Sequence, residues 1–137
     1  MKTKSILSLI VLFTILCGFN SCVDKPFNPI DDPEYYLCNN RGWIDEYIDA
    51  HGFPCSQRLI FYSDGRGTEI FTRYYSNYPD DYTVDTYDFY WDWEDYSYQS
   101  ISMEYTNGDY LLFDQLRISE YWLSGILGDD EVTFEPY

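Results

Sequence analysis

Twenty-four carboxylates, one histidine and four cysteines are the groups with which this 137-residue chain could do chemistry. Paired carboxylates can drive glycoside hydrolysis, and clustered ones can hold calcium. The acidic clusters are Asp80-Asp81, Asp92 with Glu94 and Asp95, and Asp129-Asp130-Glu131. None has the D-x-[DN]-x-[DN]-G spacing of a calcium loop. With 24 acids in the chain, close pairs arise by chance, so the clusters read as a solvated acidic surface. His51, the only histidine, cannot make a typical zinc site alone. No G-x-S-x-G, Walker or Rossmann pattern occurs. No nucleophile and base pair can be named, so the residues point away from an enzyme and imply no catalytic residue, metal or cofactor.

Binding chemistry has two leads. Tyr74, Tyr75, Tyr78 and Tyr82 crowd one stretch, YYSNYPDDY, and such rings suit recognition of proteins or sugars. Shielding of a thin sheet accounts for them equally simply. Asp114 is the second lead. The strand register developed below places it on an apolar face, where its pKa would rise and where it could mark a ligand site. A β-bulge would turn it outward instead.

The charge limits the partners. Lys2 and Lys4 precede every acid, and from Cys22 onward 6 basic residues face 24 acidic ones, a net of −18. Phosphate backbones would be repelled, so nucleic acid is excluded as a partner. Charge of this size can signal disorder, but 16 Tyr, 9 Phe and 4 Trp supply a core.

The N-terminus reads as a targeting segment. Lys2 and Lys4 precede an apolar run, Ile6–Leu16, that is shorter than the roughly 20 residues of a membrane span. Phe19-Asn20-Ser21-Cys22 then resembles the looser lipobox of Bacteroidetes lipoproteins, with Ser21 in the small position. That resemblance implies cleavage after residue 21 and lipid attachment to Cys22. Residues 22–34 carry Pro26, Pro29 and Pro33 among acids and suit an extended tether. The folded domain is expected over 35–137. In an exported protein its two cysteines, Cys38 and Cys55, suggest a disulfide contributing about 3 kcal/mol in the chain-entropy model.

These groups need elements to position them. Arg41–Ala50 has Trp43, Ile44, Tyr47 and Ile48 on one helical face, with Gly52 and Pro54 beyond, and is expected to be a short helix plugging one end of the sheet. Leu59–Phe71 reads as a hairpin turning at Asp64-Gly65. Thr83–Glu94 alternates, with Phe89, Trp91 and Trp93 on one face and acids on the other. Asn107-Gly108 predicts a two-residue type I′ turn that pairs Met103 with Leu112 and Ile101 with Asp114. Short strands over Tyr121–Ile126 and Val132–Phe134 follow. About seven strands with near-neighbour turns predict a small antiparallel meander barrel, because closure removes exposed edges.

The order of these motifs resembles the small lipocalin-like lipoproteins of Bacteroidetes. Phe61, Asp64, Gly65 and Gly67 match a F-x-x-D-G-x-G hairpin, and Phe89 with Trp91 matches a F-x-W strand. The resemblance covers roughly residues 43–134 and implies a lipocalin-like barrel, an outer-membrane lipoprotein and no catalytic residues. The expected function is a membrane-anchored, non-catalytic binding module for a protein, glycan or small apolar ligand. The alternative is a structural or accessory envelope protein with no ligand of its own.

Overall fold

Alternating apolar and polar residues fill most of the chain, and nearly every such stretch is a strand. The computed structural model describes residues 32–39, 41–75 and 80–137. A five-residue helix, α1 (Pro33–Leu37), leads into β1 (Trp43–Ile48), β2 (Pro54–Phe61), β3 (Arg66–Tyr74), β4 (Tyr82–Trp93), β5 (Ile101–Tyr105), β6 (Tyr110–Ile118), β7 (Leu123–Leu127) and β8 (Asp130–Pro136). Each strand pairs antiparallel with the next, and β8 returns to β1, closing an eight-stranded meander barrel. Inward residues alternate along the strands, with one break in β6, and Trp43, Leu59, Phe61, Phe89, Ile101, Met103, Phe113, Leu123 and Phe134 are fully buried. This packed row fills the barrel interior. Gly67 is part of the fit, since a Cβ there would lie 2.2 Å from the Phe89 ring.

The segment expected to be a helix, Arg41–Ala50, is strand β1 and supplies the eighth strand. Six residues of β1 pair with β2, from Trp43 opposite Leu59 to Ile48 opposite Pro54. Asp49 Oδ1 accepts from the backbone N–H groups of His51 (2.8 Å) and Phe53 (2.9 Å), folding the chain back between the two strands. Trp, Ile and Tyr favour strands, and pairing with both β2 and β8 outweighs a weak helical pattern. The helix lies earlier and straddles the expected boundary between tether and domain, over Pro33–Leu37. Asp32 Oδ1 accepts from the N–H of Glu34 (3.0 Å), and Pro33 occupies the first turn, where its missing N–H costs nothing. Leu37 is fully buried and closes one end of the barrel, with Trp43 Nε1 donating to its carbonyl (2.9 Å).

The expected Cys38–Cys55 disulfide is corrected: both are free thiols. Cys38 follows α1 close enough to the β2–β3 turn for the charge of Asp64 to act on its thiol. Cys55 lies at the opposite end of β2, six residues before Phe61 and so about 20 Å away. Burial, followed by the carboxylates of Glu34, Asp32 and Asp64, pushes the Cys38 thiol up to about 12.

The Asn107-Gly108 turn is one residue longer than expected. Gly108 N–H donates to Tyr105 O (2.9 Å) and Tyr105 N–H to Asp109 O (2.8 Å), enclosing Thr106, Asn107 and Gly108. Gly108 takes φ +93°, the left-handed residue of a three-residue loop. The register shifts by one, so Ile101 faces Phe113 and Met103 faces Leu111. Asp114 is thereby turned to the outer face, opposite Ile126. A bulge after Asp114, with Gln115 at φ +52°, then returns Leu116 and Ile118 to the inside.

Candidate functional site at the open end of the barrel

The strands differ in length, and the difference makes the site. β4 pairs with β3 from Tyr82 to Tyr90 but with β5 only from Phe89 to Trp93. On the other side β1 keeps β8 only as far as Ile44. The upper parts of β1 to β4 therefore rise beyond the rim, opposite the end that Leu37 closes, as a four-stranded wing. The registers line up its inner face in rows: Trp43, Leu59, Glu69 and Tyr87, then Asp45, Gln57, Phe71 and Asp85.

Glu69 stands where the wing meets the packed core. At 4% exposure it is the one charged residue among the buried residues described. A buried carboxylate is costly unless hydrogen-bonded. Gln57 Nε2 donates to its Oε1 (2.5 Å) and the Tyr105 hydroxyl to its Oε2 (2.5 Å). Burial, and then Glu69 itself, pushes the Tyr105 phenol well above its ordinary value of 10.0, which keeps it a donor. Burial also raises Asp45 and Tyr47 on the inner face of β1.

An open cleft of about 560 Å³ lies above this group, lined by Glu69, Phe71, Asp85, Tyr87, Tyr105 and Asp109 among others. The Phe71 and Tyr87 rings meet edge-on at 6.3 Å. No basic side chain lines the cleft. Arg73, one row higher on β3, is held by Asp49 (2.5 Å) and packs over the rings of Phe53 and Tyr75. A cleft of about 660 Å³ beside α1 adjoins Asp32 and has no buried charged residue in its lining. The arrangement at the open end can grip a ligand by apolar faces and by hydrogen bonds or positive charge. Among the described residues no group of three or more His, Cys, Asp or Glu could hold a metal.

The residues singled out in the sequence do not converge here. Tyr74 and Tyr82 face each other across the tip of the wing on its outer side, rings 5.8 Å apart. Tyr75 packs against Phe53, its hydroxyl 3.4 Å from Thr83 Oγ1. Asp114, on the outer wall, accepts from the Gln115 N–H (2.8 Å), so its assignment to a ligand site on an apolar inner face is corrected. Cys22 and Tyr78 lie outside the described residues. Glu69 was missed, although the alternation of the hairpin held the signal: with Leu59 and Phe61 inward, Gly67, Glu69 and Phe71 must share that face.

No protein-family model, curated protein or solved structure matches the chain. The class that fold and site define is a closed, filled eight-stranded antiparallel barrel whose extended strands carry an acidic and aromatic cleft.

Proposed function

We propose that this chain is a non-catalytic binding module, anchored to the outer membrane through a lipid on Cys22, with its site at the open end of the barrel. The single observation that carries the reading is the buried Glu69, held by Tyr105 and Gln57 at the floor of a solvent-facing cleft. A carboxylate retained at such cost, where the packed core meets a solvent-facing cleft, is explained by a role in shaping that cleft for a ligand. The buried side chains of the interior favour a protein or glycan ligand at the mouth over a small apolar ligand below. The same filled interior favours a second reading, an accessory envelope protein without a ligand.

Titration of the isotope-labelled chain with short peptides and neutral oligosaccharides separates the two. The binding reading expects one of them to shift the resonances of Phe71, Tyr87 and Tyr105 together, and Tyr87→Ala to remove the effect. If no ligand of either class moves these resonances, the accessory reading stands instead. Anchoring is tested by palmitate labelling, which Cys22→Ser is expected to abolish.

A further inference from the structure

We infer that the open edge of β4 receives an extended, basic segment of a partner protein, which adds a strand to the wing and drops lysine or arginine side chains into the cleft. The inference rests on the reading of the cleft as a binding site and names its occupant.

The backbone carries the argument. Trp91 N–H donates to Gly65 O on the β3 side (2.8 Å), whereas Asp88 O accepts from Thr106 N–H on the β5 side (3.0 Å). Strand alternation therefore turns the N–H and C=O groups of Tyr82, Val84 and Thr86 away from β3. β5 ends at Tyr105, and among the described residues no strand pairs with β4 beyond that point. This leaves about 13 Å of unpaired edge between Tyr82 and Thr86. The stretch Tyr82–Thr86 has neither a proline nor a lysine to block strand addition. A strand added there would lie in line with β5, above the β5–β6 turn. Main-chain hydrogen bonds would hold it, and alternate side chains would point into the cleft.

Charge selects the partner. Asp85 and Asp109 line the cleft with no cation beside them. The Phe71 and Tyr87 rings suit the apolar stems and charged heads of Arg and Lys. A second copy of the chain is disfavoured. With a net charge of −16, pairing two β4 edges would bring two equally acidic surfaces together, with Asp85 of each copy on the same face. The same acids would turn away acidic strands.

The test uses the full isotope-labelled chain and a blocked nine-residue peptide of alternating lysine and valine, with a glutamate–valine peptide as control. The basic peptide is expected to bind and to slow amide exchange at Tyr82, Val84 and Thr86 by about tenfold or more. The acidic peptide is expected not to bind. Val84→Pro removes an edge donor that the β3 ladder does not use, and should weaken binding by about tenfold. Thr86→Pro serves in its place should Val84→Pro not fold. Asp85→Asn should weaken binding and flatten its salt dependence.

Equal binding to the proline variants overturns the edge assignment. Protection of these amides without peptide overturns it too, in favour of a second copy when protection rises with protein concentration and of another segment of this chain when it does not. Failure of the peptide while another ligand shifts Phe71, Tyr87 and Tyr105 removes the strand partner and leaves the cleft reading intact. Failure of every ligand removes both.

Discussion

Removing the Tyr105 hydroxyl should cost the protein both stability and its alkaline sensitivity. That hydroxyl is the donor to Glu69 Oε2 at 2.5 Å, in a residue only 6% exposed. In Tyr105→Phe the ring keeps its contact with Phe89, whose centroid is 5.4 Å away, so little packing is lost. What goes is one hydrogen bond to a buried charged group, worth about 2 kcal/mol, and Gln57 is left as the remaining donor. For a domain of about 100 residues this corresponds to a fall of roughly 8 °C in Tm. The pH dependence provides an independent check. The folded-state pKa of Tyr105 is raised above the ordinary 10.0, so the folded protein keeps a proton that the unfolded chain loses. That contribution is fully present below pH 10 and is lost as pH rises toward the folded value, at up to about 1.4 kcal/mol per pH unit. Chemical denaturation of wild type and Tyr105→Phe from pH 8 to 11.5 measures both effects. Other tyrosines titrate in both proteins, so the difference between them isolates this one. A variant that melts within a degree or two of wild type, with a parallel alkaline slope, would refute the assigned role of the Tyr105–Glu69 bond.

Leu37→Ala should open the sealed end and destabilise by about 2–5 kcal/mol, read from denaturant midpoints, because a fully buried side chain leaves a cavity against Trp43. Gly67→Ala should cost about 2 kcal/mol or more by the same measurement, since the new methyl meets the Phe89 ring at 2.2 Å and Ile60 O at 2.9 Å. Thiol titration of the unfolded chain should find Cys38 and Cys55 both as free thiols without added reductant. Cys38, raised to about 12, should alkylate slowly at pH 8 in the folded protein and rapidly once unfolded.

Local patterns account for much of the architecture. Leu59–Phe71 is a hairpin around Asp64-Gly65 because β-branched and aromatic runs flank a turn pair. The inward set Phe89, Trp91 and Trp93 follows from period-two alternation alone. The Arg41–Ala50 stretch shows where such reasoning stops. Its four apolar residues satisfy a helical face and a strand about equally, and pairing with β2 and β8 decides between them.

The candidate site was less legible than the fold. Twenty-nine aromatic residues and 24 acids offer many pairings, and no local pattern separates Phe71, Tyr87 and Glu69 from the tyrosine-rich stretch nearby. Asp114 turned on a single residue of loop length at Gly108, which no composition rule fixes but which moves each side chain from Tyr110 to Asp114 to the other face.

By itself the sequence determined that the chain is acidic, built of short alternating strands, and rich enough in aromatics to close them around a core. Only the tertiary structure decided that β1 to β4 outrun their neighbours, that the interior is filled, and that Glu69 meets Tyr105 from 36 residues away. Alternation specifies which way a side chain points. How far each strand stays paired, and which distant residue fills the space it points into, is settled by closure of the whole barrel.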